Sequence, residues 1–348
     1  MRGVNMWRRL VLGAGFIAGV AGIVATIAPG GPAPAGDPAA GDGATVLNER
    51  RRGPRTLDLT VRSTALSGVA HVRLLLPPGW SREASRTWPV LWLLHGVEGG
   101  AAGHTAWTDH TDLERLTADL DVIVVLPDGG RSANYTDWWN RGNGGPPKWE
   151  TFHLTELRRI LERGYRAGNV RAIAGQGLGG LGALAYAARH RGLFRAAASF
   201  SGPLHTLHRD PARLDVPDLI ELSVNVGRPT ADWRAVWGDP DRQRIVWRHH
   251  NPFDLADRLA GVRLYVSCGD GEPGPYDPRP GTSHDAVEAL CSTVSRAFAA
   301  KLAKLGIPAA THFYRGTHGW NYWQRELHAA LPLLLSELRD PERRLGRG

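Results

Sequence analysis

The sequence predicts an α/β protein whose mostly parallel sheet is covered by helices on both faces. Short, continuous apolar runs alternate along the chain with longer stretches of helical character. Such runs are typical of strands that are buried on both faces. Hydrophobic residues make up 42% and charged residues 22% of the chain, a composition that fits a globular protein and argues against disorder.

The predicted elements follow one another through most of the chain. The predicted strands are residues 71–76, 90–94, 122–126, 170–174, 196–200, 262–267 and 309–314. The predicted helices are residues 112–120, 149–163, 178–190, 285–305 and 322–338. Residues 203–261 break the alternation with a stretch rich in Pro, Asp, Arg and Trp. This stretch predicts an insertion over the carboxyl edge of the sheet, where ligands of open α/β sheets bind.

The amino-terminal segment has the pattern of an export signal. Three arginines precede an apolar, uncharged run over residues 10–28, and Ala33-Pro34-Ala35 offers a cleavage site. We therefore predict a signal peptide over residues 1–35 and a secreted or cell-envelope location. An uncleaved membrane anchor is the alternative, because the run is nearly long enough to span a bilayer.

The rest of the chain predicts one domain with short flanking segments. Residues 36–55, rich in Pro, Gly, Ala and charge, predict a flexible spacer. An α/β domain is expected over residues 56–338 and a tail over residues 339–348. The net charge is +8, and no basic stripe is interleaved with aromatic residues, so we expect no nucleic-acid partner. No Cys-x-x-Cys motif or His/Cys cluster indicates a metal, and we expect no cofactor.

A glycine-rich turn between a predicted strand and a predicted helix has the spacing of a nucleophile elbow. Residues 172–186 read AIAGQGLGGLGALAY. In the motif G-x-S-x-G the flanking glycines let helix and strand approach closely, and the central serine attacks the substrate. Gly175 and Gly179 hold the flanking places, and Gly177 holds the nucleophile's place. A phosphate-binding loop is the alternative, but the Lys-Ser/Thr of a P-loop is missing.

A histidine and several acids follow this turn in the order expected for an α/β-hydrolase fold. His318 comes directly after the last predicted strand, where a loop can bring its imidazole against the elbow as a general base. Asp270, Asp285 and Glu288 all follow the predicted strand that ends near Cys268, and any of them could orient the imidazole. Acids in the first turn of a helix are also favoured by the helix dipole, so these residues alone leave the choice open.

The expected oxyanion hole consists of two backbone N–H groups. One comes from the residue after the nucleophile, which is Leu178 here. The other comes from the loop after an early strand, and Val97 in the segment HGVEGG is the predicted donor. Because these donors belong to the backbone, the glycine at position 177 does not remove them.

Four sequence blocks occur in the order of a known family. They are LLHG at 93–96, DWWN and KWETFHLTEL within 137–157, the elbow helix at 175–190 and GTHGWNYWQREL at 316–327. With these blocks the chain resembles, over roughly residues 57–335, the esterase family that includes the antigen 85 mycolyltransferases and related actinobacterial secreted esterases. The resemblance implies the α/β-hydrolase fold and serine esterase or acyltransferase chemistry. The last block is the most specific, because the family's catalytic histidine lies in such a run, which implies that role for His318.

The resemblance also assigns the acid and marks two departures. Counting back from Phe298 places the family's catalytic acid on Glu288, and Cys268 matches a cysteine that the family keeps near its active site. The family's serine falls on Gly177, so no acyl-enzyme can form there. The mycolyltransferases have an Asp that helps hold the sugar where this chain has His95, which makes His95 a predicted substrate contact. Specificity for trehalose and mycolate is therefore not implied.

These residues leave three interpretations of function open. An active hydrolase or transferase would need water or an unrecognised nucleophile. A non-catalytic descendant would bind acylated sugar or cell-envelope glycan, with stacking faces supplied by Trp138, Trp139, Trp237 and Trp320. A single altered base in a serine codon would produce the same glycine. We expect an exported esterase-family protein with impaired acyl transfer or ester hydrolysis, an acyl ester or glycolipid as its small-molecule partner, and contact with the cell envelope.

Overall fold

The computed structural model describes residues 43–132, 134–210, 214–227, 231–278 and 282–338. The signal peptide or anchor predicted for residues 1–35 and the tail predicted for residues 339–348 lie outside the described residues. Within the described ranges, no helix is both long enough and apolar enough to cross a membrane.

A mixed sheet with the strand order β1-β2-β3-β5-β4-β6-β7-β8-β9 runs through the described part of the chain. The pairings of β1 with β2, β2 with β3 and β3 with β5 are antiparallel, and all other pairings are parallel. The predicted mostly parallel sheet is thus confirmed. The strands are β1 Thr45–Arg51, β2 Thr56–Ser63, β3 Gly68–Leu75, β4 Trp88–Leu94, β5 Ile123–Pro127, β6 Ala167–Gln176, β7 Ala196–Phe200, β8 Arg263–Gly269 and β9 Ala309–Tyr314.

Helices connect the parallel strands. The α-helices are α1 Ala106–His110, α2 Leu113–Leu116, α3 Trp149–Thr151, α4 Arg158–Gly164, α5 Leu178–Arg189, α6 Val216–Gly227, α7 Arg244–His249, α8 Ala286–Lys304 and α9 Trp320–Leu338. A π-helical stretch, Phe152–Leu157, joins α3 to α4. Short 3₁₀ helices are formed by Val97–Thr105, Asn140–Gly142, Trp233–Ala235 and Ala256–Leu259.

Apolar side chains cover the sheet on both faces. Successive residues of a strand point to opposite faces, and the central strand β4 shows the consequence. Trp92 belongs to one buried cluster, which includes Leu181 of α5. Leu91 and Leu93 belong to a second cluster, which includes Trp323 of α9. Helices therefore cover both faces of the sheet, as predicted.

Two sequence predictions need correction. The flexible spacer predicted over residues 36–55 is wrong for Thr45–Arg51, which pair with β2 as the outermost strand. This strand lies at the edge of the sheet and buries little beyond Val46. Its sequence therefore lacks the apolar alternation that would predict a strand. The helix predicted over residues 112–120 is restricted to Leu113–Leu116. Arg55 donates to the carbonyl oxygens of Glu114 and Thr117, which the helix would otherwise have used.

The predicted insertion lies between β7 and β8 and contains α6 and α7. Its Trp237 donates through Nε1 to Thr136 Oγ1 over 3.2 Å, and its Val236 accepts from the amide of Trp139 over 2.9 Å. Thr136 and Trp139 belong to the loop that follows the carboxyl end of β5. The insertion therefore packs at the carboxyl edge of the sheet.

Candidate active site

A sharp turn joins β6 to α5 at Gly177. Gly177 is the N-cap of α5 and has φ 53° and ψ −125°, a backbone region that strains any other residue. Its amide donates to the carbonyl of Phe200 at the end of β7 over 2.9 Å. The strand, turn and helix follow each other as a nucleophile elbow requires. No hydroxyl or thiol stands at the tip of this turn.

The two flanking glycines permit the close approach predicted for them. A Cβ at Gly175 would lie 2.3 Å from the carbonyl carbon and oxygen of Gly179. A Cβ at Gly179 would lie 2.5 Å from the carbonyl oxygen of Leu94 and 2.7 Å from that of His95. Helix α5 therefore packs directly on the strand end that leads into the predicted oxyanion loop.

Glu288 and His318 form a buried acid–imidazole pair. Glu288 Oε2 lies 2.6 Å from His318 Nδ1, and Glu288 has no exposed surface. Since a carboxylate accepts hydrogen bonds, Nδ1 carries the proton and Nε2 is the ring nitrogen suited to act as a base. Glu288 comes from the first turn of α8 and His318 from the loop between β9 and α9. Distant parts of the sequence thus meet in the acid–imidazole contact that was predicted, and its role as a general base stays a prediction.

The second oxygen of Glu288 is held by donors that the sequence did not reveal. Glu288 Oε1 accepts from the amide of Gly269 over 2.6 Å and from Ser201 Oγ over 2.7 Å. Ser201 in turn accepts from Trp323 Nε1 over 3.1 Å, and the Trp323 ring meets the His318 ring edge-on at 4.9 Å. Glu288, Ser201, Trp323 and His318 thus form a closed circuit of contacts, which fixes both the acid and the imidazole. A buried carboxylate needs such donors, because desolvation penalises an unsatisfied charge.

Ser201 and Cys268 complete the surroundings of the acid. Ser201 is fully buried and has φ 55°, a strained value for a residue other than glycine. Cys268 Sγ lies 3.3 Å from Glu288 Oε1, so the predicted nearness of this cysteine to the site agrees with the geometry. Burial raises the pKa of the Cys268 thiol, and the negative charge of Glu288 raises it further. No disulfide joins Cys268 to Cys291.

The other two candidate acids support the backbone around the pair. Asp285 caps α8 by accepting from the amides of Val287 and Glu288. Asp270 Oδ1 accepts from the amide of Gly316 over 3.3 Å. The hydrogen bond of 2.6 Å joins the imidazole to Glu288, so the geometry favours Glu288 as the acid.

The predicted oxyanion donors follow the ends of neighbouring strands. Leu94 of β4 pairs with Gly175 of β6. Val97 begins the 3₁₀ helix that follows β4, and the buried Leu178 begins α5 after β6. The first N–H groups of a helix have no partner within that helix and can point at a ligand. The role of Val97 and Leu178 as oxyanion donors stays a prediction.

His95 is a structural group in this fold. It is 1% exposed, its Nδ1 donates to the carbonyl of Gly96 over 2.7 Å, and its Nε2 accepts from the amide of Gly129 over 2.8 Å. Tyr135 donates its hydroxyl to the His95 carbonyl over 2.7 Å. Both ring nitrogens are thus used inside the protein. The structure favours a role in bracing the loop after β4 in place of the predicted substrate contact.

The predicted aromatic contacts differ in exposure. Trp138 is 6% exposed and Trp237 is 1% exposed, and both belong to the main core, which corrects their prediction as stacking faces. Trp320 is half-buried and stacks on His110 at 4.8 Å. It also meets Trp107 edge-on at 5.3 Å. Trp320 therefore combines packing with a partly accessible ring at the start of α9.

One buried polar side chain at the elbow has no sequence signal that singles it out. Gln176 precedes Gly177, has no exposed surface, and its amide oxygen and nitrogen have no hydrogen-bond partner in the described ranges. Elsewhere, the described residues include no group of three or more His, Cys, Asp or Glu side chains that could hold a metal ion.

Comparisons with known sequences identify relatives whose names describe action on esters or acyl groups. A family model described as "Putative esterase" matches residues 63–334. Esterase Rv1288 of Mycobacterium tuberculosis is 31% identical over 283 residues, which cover 80% of this chain and 59% of that protein. This chain therefore matches less than two thirds of that relative's length. The diacylglycerol acyltransferase/mycolyltransferase Ag85B of Mycolicibacterium smegmatis is 31% identical over 256 residues, which cover 70% of this chain and 75% of the relative.

Solved structures share the fold. MPT51 (FbpC1) of Mycobacterium tuberculosis superposes with a TM-score of 0.65 at 24% identity, over 82% of this chain and 100% of that one. The fluorophosphonate-binding serine hydrolase FphF of Staphylococcus aureus superposes with a TM-score of 0.61 at 18% identity, over 83% of this chain and 100% of that one. Together with the family model and the two relatives, this likeness shows that the chain belongs to the esterase family and has the α/β-hydrolase fold.

Proposed function

We propose that this protein binds an acyl ester at the carboxyl edge of its sheet and hydrolyses it slowly, with water in place of the serine hydroxyl. One observation carries the proposal: the 2.6 Å pair of Glu288 and His318 is complete, while the elbow tip is Gly177. Burying a carboxylate costs folding free energy, because the charged group loses its contact with water. Glu288 is nevertheless buried here, and its four hydrogen-bond donors are His318, Gly269, Ser201 and Cys268. This arrangement supports a role for the imidazole as a base.

The proposed chemistry needs no covalent intermediate. Glu288 fixes the His318 tautomer in which Nε2 accepts a proton from water. The resulting hydroxide attacks the ester carbonyl, and the backbone amides of Val97 and Leu178 stabilise the oxyanion. Collapse of the tetrahedral intermediate releases the alcohol, which takes the proton back from Nε2. Ester and water thus become acid and alcohol.

Such a reaction is slow compared with that of a serine enzyme. Loss of the nucleophilic serine costs roughly a millionfold in kcat in a well-studied serine protease, or about 8 kcal/mol of barrier. A residual rate roughly a thousandfold above that in water remains from the oxyanion hole and binding. Efficient transfer to an alcohol acceptor is not expected, because no acyl-enzyme can hold the acyl group.

The proposed setting is outside the cytoplasm. The leader over residues 1–35 supports export to the cell surface or the medium. The relatives named as esterase and mycolyltransferase support an acyl ester or glycolipid as the ligand. Export to the cell surface would bring the protein into contact with the cell envelope.

A second candidate function is non-catalytic binding of an acylated sugar or envelope glycan. The partly accessible Trp320 ring, stacked on His110, favours it. Aromatic faces of this kind suit sugars and acyl chains. In this case the acid–imidazole pair would serve only to hold the loop before α9.

Hydrolysis of p-nitrophenyl butyrate by the native protein separates the two functions. We expect a slow, enzyme-dependent rate that falls to background in His318→Gln. His312→Gln is the matched control, since His312 also contacts a buried glutamate at 3.0 Å, but that glutamate is Glu326 and not Glu288. A native rate equal to that of His318→Gln would eliminate the hydrolase and leave the binding function.

A further inference from the structure

We propose that Asp285 is a positioning residue that holds the acid and the imidazole in register through a single carboxylate. One oxygen of Asp285 contacts the backbone of the acid, and the other contacts the backbone of the histidine. The inference rests on the proposed function in one respect: it assumes that the pair of Glu288 and His318 acts as a general base.

The two carboxylate oxygens of Asp285 accept hydrogen bonds from two different chain segments. Asp285 Oδ1 accepts from the amides of Val287 and Glu288, each over 3.0 Å. Asp285 Oδ2 accepts from the amide of His318 over 3.0 Å. The segments at the two ends are the first turn of α8 and the loop between β9 and α9. A carboxylate has two oxygens, so one can face each segment, whereas a serine hydroxyl offers a single oxygen.

This bridge fixes the two ends of the catalytic hydrogen bond. Glu288 Oε2 and His318 Nδ1 are 2.6 Å apart, so a small shift of either backbone alters the bond. Misplacement by about 1 Å can cost on the order of a hundredfold in rate. Asp285 ties both backbones to one group, so they move together when the loop moves.

The neighbouring residues support the loop without reaching the acid. Asp277 accepts from the Thr317 hydroxyl and, through Oδ2, from the Tyr322 hydroxyl over 2.8 Å. Asp270 accepts from the amide of Gly316. These contacts order the residues around His318. Among these three loop carboxylates, Asp285 is the one recorded in contact with both the histidine and the acid.

Ordinary helix capping is the competing explanation. Asp at an N-cap stabilises a helix, and Ser does so about equally well. Asp285→Ser therefore keeps the cap on α8 but loses the bond to His318, whereas Asp285→Ala loses both. A role limited to capping predicts that the serine variant behaves like the parent.

Amide hydrogen exchange tests the bridge in the native protein, where no turnover is needed. We expect Asp285→Ser to speed exchange of residues 315–319 by about tenfold or more, because the His318 amide loses its acceptor. Exchange at residues 286–289 should stay near the parent rate in Asp285→Ser and rise in Asp285→Ala. Unchanged exchange at residues 315–319 in the serine variant would overturn the inference.

The consequence for catalysis is measured in a Gly177→Ser background. There Asp285→Ser should lower kcat about tenfold with KM unchanged and with the melting temperature kept. Parent-like kcat together with faster loop exchange would also overturn the positioning role. If Gly177→Ser itself is folded but inert, the proposed function fails, and the exchange result still decides the bridge.

Discussion

The elbow has the backbone geometry of a catalytic site without a nucleophile, whereas the acid–histidine pair has both the geometry and the functional groups. At the elbow, the backbone turn at Gly177 and the tight packing of Gly175 and Gly179 persist without a nucleophile. In the pair, Glu288 and His318 keep their functional groups as well as their geometry. Backbone packing alone preserves an elbow, because strand and helix must fit together whatever stands at the tip. Glu288 also presents its Oε2 to the Nδ1 of His318 at 2.6 Å, and this pairing of functional groups is what the proposed chemistry uses.

The largest expected effect restores the missing group. Gly177→Ser should raise short-chain ester hydrolysis by at least about a hundredfold, since the base, the acid and the backbone donors remain. Steady-state hydrolysis of p-nitrophenyl butyrate measures it. Gly177→Ala is the matched control, because it adds a Cβ at the same positive φ without a nucleophile, and it should show no gain. A folded but inert serine variant would mean that the histidine geometry or the groove has also decayed.

The next effect separates the acid from other buried carboxylates. In the Gly177→Ser background, Glu288→Gln should abolish most of the gain in kcat, since the acid of a serine–histidine–acid triad holds the imidazole in the tautomer that activates the serine. Glu326→Gln is the control: Glu326 is equally buried and also faces a histidine, which is His312 and not His318. If both variants lose the same fraction of activity, the loss reports general destabilisation and Glu288 is not the acid.

Mild acid should weaken the elbow side of the molecule. His153 is fully buried, contacts Tyr186 of the elbow helix, and desolvation lowers its pKa to about 4. Because this lies below the ordinary value of 6.5, the unfolded chain takes up the proton first. Stability from this group is complete above about pH 6.5 and falls as the pH drops toward 4.

Urea unfolding of the native protein and His153→Gln measures this loss. Between about pH 7 and about pH 5 the native protein should lose roughly 2 kcal/mol more than the variant, at about 1.4 kcal/mol per pH unit below 6.5. Equal losses in the two proteins would show that His153 takes no part in acid lability.

The smallest expected effect concerns the aromatic group at the start of α9. Trp320→Ala should weaken binding of an octanoylated sugar by about 1 kcal/mol, because a partly accessible ring loses its contact with the ligand. Calorimetry gives affinity and melting temperature on the same sample. Trp237→Ala serves as the buried comparison and should lower the melting temperature more than the affinity. Unchanged affinity in Trp320→Ala with a collapsed melting temperature would make Trp320 a core residue.

Local sequence patterns were sufficient to predict those elements whose residues all lie within one segment of the chain. Continuous apolar runs predicted the parallel strands, and the spacing of Gly175, Gly177 and Gly179 predicted the elbow. Strand β1 was missed because an edge strand with charged side chains shows no alternation. The end of α2 was missed because it depends on Arg55, which is far away in the sequence.

Roles that depend on contacts between distant segments could not be read in advance. Nothing local singles out Ser201 as a donor to Glu288, or Asp285 as a bridge to His318. His95 was misjudged because a family comparison assigns a place in the site but not the hydrogen bonds that occupy the ring. The choice of Glu288 over Asp285 came from resemblance, and the 2.6 Å contact supplies its physical reason.

Covalent labelling by a fluorophosphonate, read by intact mass, tests the central claim most directly. The claim is that the base and its acid are intact and that only the nucleophile is missing. The native protein should stay unlabelled, while Gly177→Ser should take up one equivalent and lose that reactivity when His318→Gln is added. Stoichiometric labelling of the native protein at any residue, or a folded Gly177→Ser protein that stays unlabelled, would contradict it.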